Sequence, residues 1–324
     1  MSVHGSEVED EIDDTGDDRT VDPNVGLSYT FKQVRRDTTA RIGLFVISLV
    51  FAIAVLTSID YYVFDYAFAE RFLYHPEKDP EVYRPHLPPI GIENTHGSGA
   101  LEHPLGTDHR GRDILVRLLY GTRIAVTAGL LATLIGFVGG TLTGAVSGYY
   151  GGWVDDVLQR AMETLYAIPF LVLVIAFMAA FGQNLMFAML GIGIISMPVF
   201  NRLIRSRVVS VREEEYIKAA KASGIRNRTI ILRYIIPNSF APVLVQGTLQ
   251  IGYAILAIAG LSFLGFGVQP PTPSWGQMLA QSRDYMLPNP WFSIWPGAAI
   301  LLTVVAFNTF GDGLQDALDP RIDN

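Results

Sequence analysis

The chain alternates between long runs without a charged residue and short segments crowded with them. Charge-free runs extend from Ile42 to Ile59, Ile124 to Val154, Thr164 to Asn201, Tyr234 to Ser282 and Tyr285 to Gly311, and a helix needs about 20 apolar residues to cross a bilayer. Helices of a soluble protein would carry a charged face, which these runs lack. Phe181-Gly182-Gln183-Asn184 splits the third run, and Pro270, Pro271 and Pro273 end a span in the fourth. The pattern predicts an all-α membrane protein with six transmembrane helices, at residues 42 to 60, 124 to 148, 158 to 181, 185 to 205, 239 to 265 and 293 to 312. The first apolar run has no small-residue cleavage pattern behind it, so no signal peptide is expected.

Charge sets the orientation. Lys32, Arg35, Arg36 and Arg41 precede the first span, while Asp60, Asp65 and Glu70 follow it, which places the N-terminus in the cytoplasm. Six spans return the C-terminal end, residues 319 to 324, to the same side. Residues 202 to 233 hold nine Lys/Arg against three Glu and belong there too. One junction disagrees: Arg110, Arg112, Arg117 and Arg123 precede the second span on the outside, and Asp155 and Asp156 follow it inside. Residues 1 to 22 carry nine Asp/Glu and one Arg; with a total charge of minus seven, the remainder is plus one. Residues 1 to 30 are therefore expected to form an acidic, disordered, solvated cytoplasmic tail.

The outer segment, residues 61 to 123, reads as an ordered Pro-rich loop with little regular structure. It contains His75, His86, His96, His103 and His109, whose spacing of six to eleven residues lacks the close pairs that seed a metal site, so they are expected to be solvated. Trp275, Trp291 and Trp295 are expected as interfacial anchors. The absence of cysteine removes disulfides and thiol chemistry. Gly136, Gly140, Gly144 and Gly148 recur at four-residue spacing and predict a close helix-packing seam. Pro169 and Pro198 predict kinks in the third and fourth spans. No charged residue sits at mid-depth in any span, which argues against an ion-driven carrier. Gln246, Gln250, Tyr253 and Asn308 remain as polar groups for lining a corridor or bridging helices. There is no GxxxxGK[ST] phosphate loop and no catalytic constellation, so any motor belongs to another polypeptide.

Between the fourth and fifth spans, Tyr216, Ala219, Ala220 and Ser223 fall at i, i+3, i+4 and i+7, one face that is small beyond the tyrosine. Glu214 and Lys218 are spaced for an i, i+4 pair. Gly224 supplies a left-handed turn residue, Asn227 a cap for a second helix, and Pro237 its end. Such a pair is suited to being gripped in a protein groove. The competing reading, a helix lying on anionic lipid, suffers from the slight apolar face near Tyr216.

"YIKAAKASG" followed by "YIIPN" resembles the EAA-loop signature of ABC importer permeases. "HPLGTDHRGRDILVRLLYGTRIAV", "GYYGGWVDDVLQRAMETLYAIPFLVLVI", "LSFLGFGVQPPTPSWGQML" and "GDGLQDALDPR" are similar to the C-type membrane subunit of dipeptide, oligopeptide and nickel importers, and the resemblance covers roughly residues 35 to 322. Lys218 departs from the family's usual Glu, and Val116 from its usual Ser. The resemblance implies a type I ABC importer permease fold, with the 124 to 318 core containing a cytoplasmic coupling helix in residues 213 to 237. Its implied partners are a homologous B-type permease subunit, two ATP-binding ABC subunits and an extracellular solute-binding protein, in membrane lipid, with no cofactor, no metal and no nucleic acid. Glu215, Tyr216, Lys218, Ala219, Ala220, Gly224 and Pro237 are the implied coupling residues. Peptides are the implied solute, with nickel chelates or oligosaccharides as alternatives. A secondary carrier, an ABC exporter and a non-transporting scaffold fit less well.

Overall fold

The computed structural model describes residues 37 to 80 and 84 to 318, so the acidic tail and residues 319 to 324 lie outside the described residues. Asp37 opens the first long helix, α1 (Thr38–Val63), by accepting the Thr39 N–H at 2.8 Å. Short α2 (Ala67–Phe72) and a two-strand hairpin, β1 (Glu93–Asn94) with β2 (Gly97–Ser98), precede α3 (Ile114–Tyr150). Then come α4 (Gly152–Ala167), α5 (Phe170–Phe181) and α6 (Leu185–Val211). A compact group follows: α7 (Glu215–Ala222), α8 (Asn227–Ile230), a π turn (Ile231–Ile235) and α9 (Ile236–Asn238). The chain ends with α10 (Phe240–Phe263), α11 (Trp275–Ser282), a 3-10 turn (Arg283–Tyr285) and α12 (Trp291–Leu318).

Among the described residues, five helices are long and apolar enough to cross a membrane: α1, α3, α6, α10 and α12. The expected third span is broken. α4 and α5 meet at Ile168-Pro169 with a bend of 92°, so Pro169 ends one helix instead of kinking it, and the pair makes a sixth span only if taken together. α5 has 12 residues, about 18 Å of helix, too short to cross alone. Pro198, by contrast, sits inside uninterrupted α6.

The second difference is at the start of α3. Asp113 caps this helix through the Val116 N–H at 2.8 Å, and the helix starts at Ile114, ten residues before the charge-free run begins, so α3 reaches 37 residues. Arg117 and Arg123 lie inside it and are buried. α3 packs along α6, and at their middle Ala128, Ala132, Val174, Ile192, Ala254 and Ile258 share one core.

The segment before α3 is a folded cap, held by buried charge. Asp108 accepts from the Arg110 and Arg112 backbone N–H groups at 2.8 and 2.9 Å and from Arg112 Nε at 2.8 Å. Arg117 donates to the Pro76 carbonyl at 2.8 Å and to Gln277 of α11 at 3.3 Å. Asp60, at the end of α1, accepts from Phe68 N and Ala69 N and from the Tyr120 hydroxyl. Of the histidines expected to be solvated, His96 is exposed and His75 and His109 are half-buried, but two are interior. His103 is buried beside Asp113 at 2.9 Å, and His86 is buried in ring contact with His96 and Tyr285. Burial, helped by the neighbouring His96, pulls the His86 imidazole below the usual histidine value. Among the described residues, no group of three or more His, Cys, Asp or Glu is placed to hold a metal. Trp275 is not an interfacial anchor either: it is buried, and its indole N–H donates to the Leu118 carbonyl at 3.0 Å.

Candidate functional site: a helix presented at the end of the bundle

The α7 group sits where α3 and α6 end. Arg212, just past α6, donates from Nη1 to the Gly148 carbonyl at 2.9 Å, joining the two helix ends. Glu213 and Glu214 precede α7, with Glu215 in its first turn and Lys221 in its last, charges that suit the helix dipole. Its inward face is Ile217 and Ala220, both buried. They share a core with Tyr149 of α3, Phe200, Ile204 and Val208 of α6, and Ile230, Ile231 and Ile235. The outward face holds Glu215, Tyr216, Lys218 and Ala219, all exposed. Partial burial, and then the Glu214 carboxylate, push the Tyr216 hydroxyl above its ordinary value, so it stays neutral.

The turn after α7 is a Schellman closure. Gly224 adopts φ +75°, its N–H donates to the Lys221 carbonyl at 3.0 Å, and the Ile225 N–H donates to the Ala220 carbonyl at 3.2 Å. No other atom lies within 4 Å of where a Gly224 side chain would begin, so the residue answers a backbone need and not a lack of room. Tyr149 closes the group from α3. Its hydroxyl donates to Asn227 Oδ1 at 2.8 Å, and Lys221 Nζ lies 4.7 Å from its ring centre.

Four expectations are corrected. Tyr216, Ala219 and Ala220 do not share a face: Ala220 points inward beside Ile217, and Ser223 is exposed. Lys218 approaches Glu213 at 3.9 Å, not Glu214, which is the N-cap of α7. Asn227 is the first residue of α8, with Arg226 at the N-cap position making no side-chain cap, and its Oδ1 accepts from Tyr149 instead. Pro237 is exposed within α9 and does not end the helix there; having no N–H to give, it sits just beyond the π turn, and the chain breaks at Ser239.

The four glycines of the expected seam in α3, Gly136, Gly140, Gly144 and Gly148, all face α6. A methyl group on Gly136 would come 2.7 Å from Ser196 Cβ, and one on Gly140 would press on the Met197 carbonyl and come 2.6 Å from Phe200 Cβ. On Gly144 it would collide with the Asn201 carbonyl and Ile204, and on Gly148 it would come 3.0 Å from the Arg205 carbonyl. Of the corridor candidates, Gln250 is buried and donates to Ser196 at 2.8 Å, while Tyr253 and Asn308 are exposed. The sequence reading missed Ile217, Tyr149 and Arg212. Only Ile217 left a signal, its spacing of three from Ala220.

The profile of the family described as "Binding-protein-dependent transport system inner membrane component" matches residues 140–324. The dipeptide transport system permease protein DppC of Alkalihalophilus pseudofirmus is 40% identical over 296 residues, covering 90% of this chain and 89% of the relative. The glutathione transport system permease protein GsiD of Pectobacterium atrosepticum is 43% identical over 220 residues, 68% of this chain and 73% of that one. In three dimensions the chain is similar to an inward-facing MetNI methionine ABC transporter, with a TM-score of 0.52 at 18% identity, covering 64% of this chain and 98% of that chain; this likeness concerns the fold.

Proposed function

We propose, for a chain that belongs to the family of binding-protein-dependent transport system inner membrane components, that α7 is the part of this ABC importer permease on which an ATPase subunit acts. As a multi-pass permease it supplies the path and not the hydrolysis. The observation that carries the proposal is the two-sided character of α7. Its inner face, Ile217 and Ala220, is packed on Tyr149 of α3 and Ile204 and Val208 of α6, whose ends Arg212 ties together, and its outer face of Glu215, Tyr216, Lys218 and Ala219 is exposed. A load on the outer face is therefore transmitted to both helices as a rigid-body displacement. Gly224 and Pro237 shape the return of the chain to α10. In this reading α7 and both chain termini are cytoplasmic, and the segment of residues 61 to 123 with its folded cap before α3 is extracellular, facing a solute-binding protein. A homologous B-type subunit completes the path, with two ATP-binding subunits beneath. The solute is a peptide, supported by the similarity over nine-tenths of the chain to a dipeptide permease.

The test is Ala219→Trp and Gly224→Val in the assembled transporter. Each is expected to abolish uptake and the stimulation of ATP hydrolysis while the chain still inserts. Unchanged uptake in both variants would sink the assignment. The solute that co-purifies with the partner binding protein decides the substrate class.

A further inference from the structure

We infer that Asp155 and Arg205 are the positioning pair through which a displacement of α7 reaches the broken span. The inference rests on the docking of α7 proposed above. It starts from how little else holds α4: of its 16 residues, only Met162 is buried. Apolar burial gives this helix a weak grip on its neighbours, and the grip is polar instead. Arg205 of α6 closes on Asp155 with both arms of its fork, Nε to Oδ1 at 2.7 Å and Nη2 to Oδ2 at 2.5 Å. One turn along, Gln159 Nε2 donates to Ser147 Oγ of α3 and Asn201 Oδ1 of α6, both at 3.0 Å, and Asn201 Nδ2 donates to Thr143 Oγ1 at 3.0 Å. Arg202 covers the Tyr166 ring at 4.3 Å near the far end of α4.

These contacts lie on the same stretch of α6 that receives α7. Ile204 and Val208, either side of Arg205 in sequence, share their core with Ile217 and Ala220. A push on α7 therefore arrives at Arg205 within one helix, and the bidentate pair hands it to α4. Beyond α4 the chain turns by 92° at Ile168-Pro169. Across that turn the backbone bonds are sparse: Ile168 N to Leu165 O at 3.3 Å and Leu173 N to Pro169 O at 3.1 Å, with no side-chain cap on α5. Val174 and Met178 then seat α5 in the middle core, separate from the core of α7. Movement of α4 changes the elbow angle, and α5 follows.

The chain has no cysteine, so Leu171→Cys, at an exposed position of α5, gives it a single thiol reporter. The assembled transporter in lipid vesicles is treated with ATP and vanadate, and the rate of maleimide labelling of this chain is followed beside ATP hydrolysis. The rate is expected to change by about threefold or more on ATP and vanadate, a modest shift in the population of two states. Asp155→Asn and Arg205→Gln, each added to the reporter, are expected to abolish that change while assembly and hydrolysis persist. The exchanged pair, Asp155→Arg with Arg205→Asp, is expected to restore it. The inference is overturned if the reporter alone shows no ATP-dependent change, if the change survives in the single variants, if hydrolysis or assembly is lost with it, or if the exchange fails to restore it. Ala219→Trp on the same reporter separates the two proposals: a change that persists there removes the docking of α7, whatever Asp155 does.

Discussion

The two ends of the helix bundle are both rich in arginine, and they use it in opposite ways. At the α2 end, Arg112, Arg117 and Arg123 are buried; Arg112 and Arg117 hold Asp108, the Pro76 carbonyl and the α11 glutamines, and Arg123 lies 3.5 Å over the Tyr61 ring. At the α7 end, Lys218, Arg226, Arg228 and Arg233 are exposed, and the architecture comes from Ile217, Ile230, Ile235, Tyr149 and the turn at Gly224. In one place charge builds the structure. In the other, apolar groups seat α7, Arg205 and Arg212 tie neighbouring helices, and the remaining charge of the α7 group is left exposed. The difference also accounts for the junction that disagrees with the positive-inside tally. Arg110 pairs with Asp79 at 2.5 Å, the other three arginines are interior, and Asp155 is held by Arg205, so these are not free loop charges.

The sharpest way to break this comparison is at Asp108. Asp108→Ala leaves Arg112 and Arg117 buried without their carboxylate and is expected to cost about 3–5 kcal/mol, read as a large fall in the thermal midpoint of the purified protein. A small effect would mean that the cap is held by its apolar contacts after all. Gly140→Leu ranks next, because the facing Met197 carbonyl and Phe200 cannot withdraw without separating α3 from α6. Its expected cost is about 1–3 kcal/mol, seen as poor recovery of the intact membrane complex; wild-type recovery would argue against the seam. Lys218→Glu is the smallest, since the residue is exposed and its approach to Glu213 is a loose 3.9 Å. It is expected to move stability by less than about 0.5 kcal/mol. A drop comparable to that of Asp108→Ala would erase the distinction between the two ends.

How far the sequence could be read follows the same division. The long apolar helices were legible, because a run without charge has few other uses. So was Gly224, since a helix closing in the left-handed region leaves few choices of residue. The phase of α7 differs by one position from the expected face: Tyr216 with Ala219 and Ile217 with Ala220 have the same spacing, and only packing tells which pair is inside. The start of α3, ten residues before the charge-free run, is not legible because Arg117 and Arg123 read as loop charges, and nothing in their neighbourhood announces the carboxylate and carbonyl that receive Arg117. Asp155 and Arg205 are 50 residues apart in sequence and carry no local sign of each other. The break at Pro169 was visible as a proline, but its angle was not, since the same residue produces a gentle kink when neighbouring helices hold both halves in line.

The length of α3 has a mechanical meaning. Its 37 residues make a rod about 55 Å long, with Tyr149 engaged by the α7 group at one extremity and Arg117 locked into the cap at the other. A stiff rod of that length is a lever: a tilt of about 5° carries its far tip through about 5 Å, close to one helical turn. Whatever grips the bundle at one face thus has leverage on the opposite face, with no chain of intermediates between them.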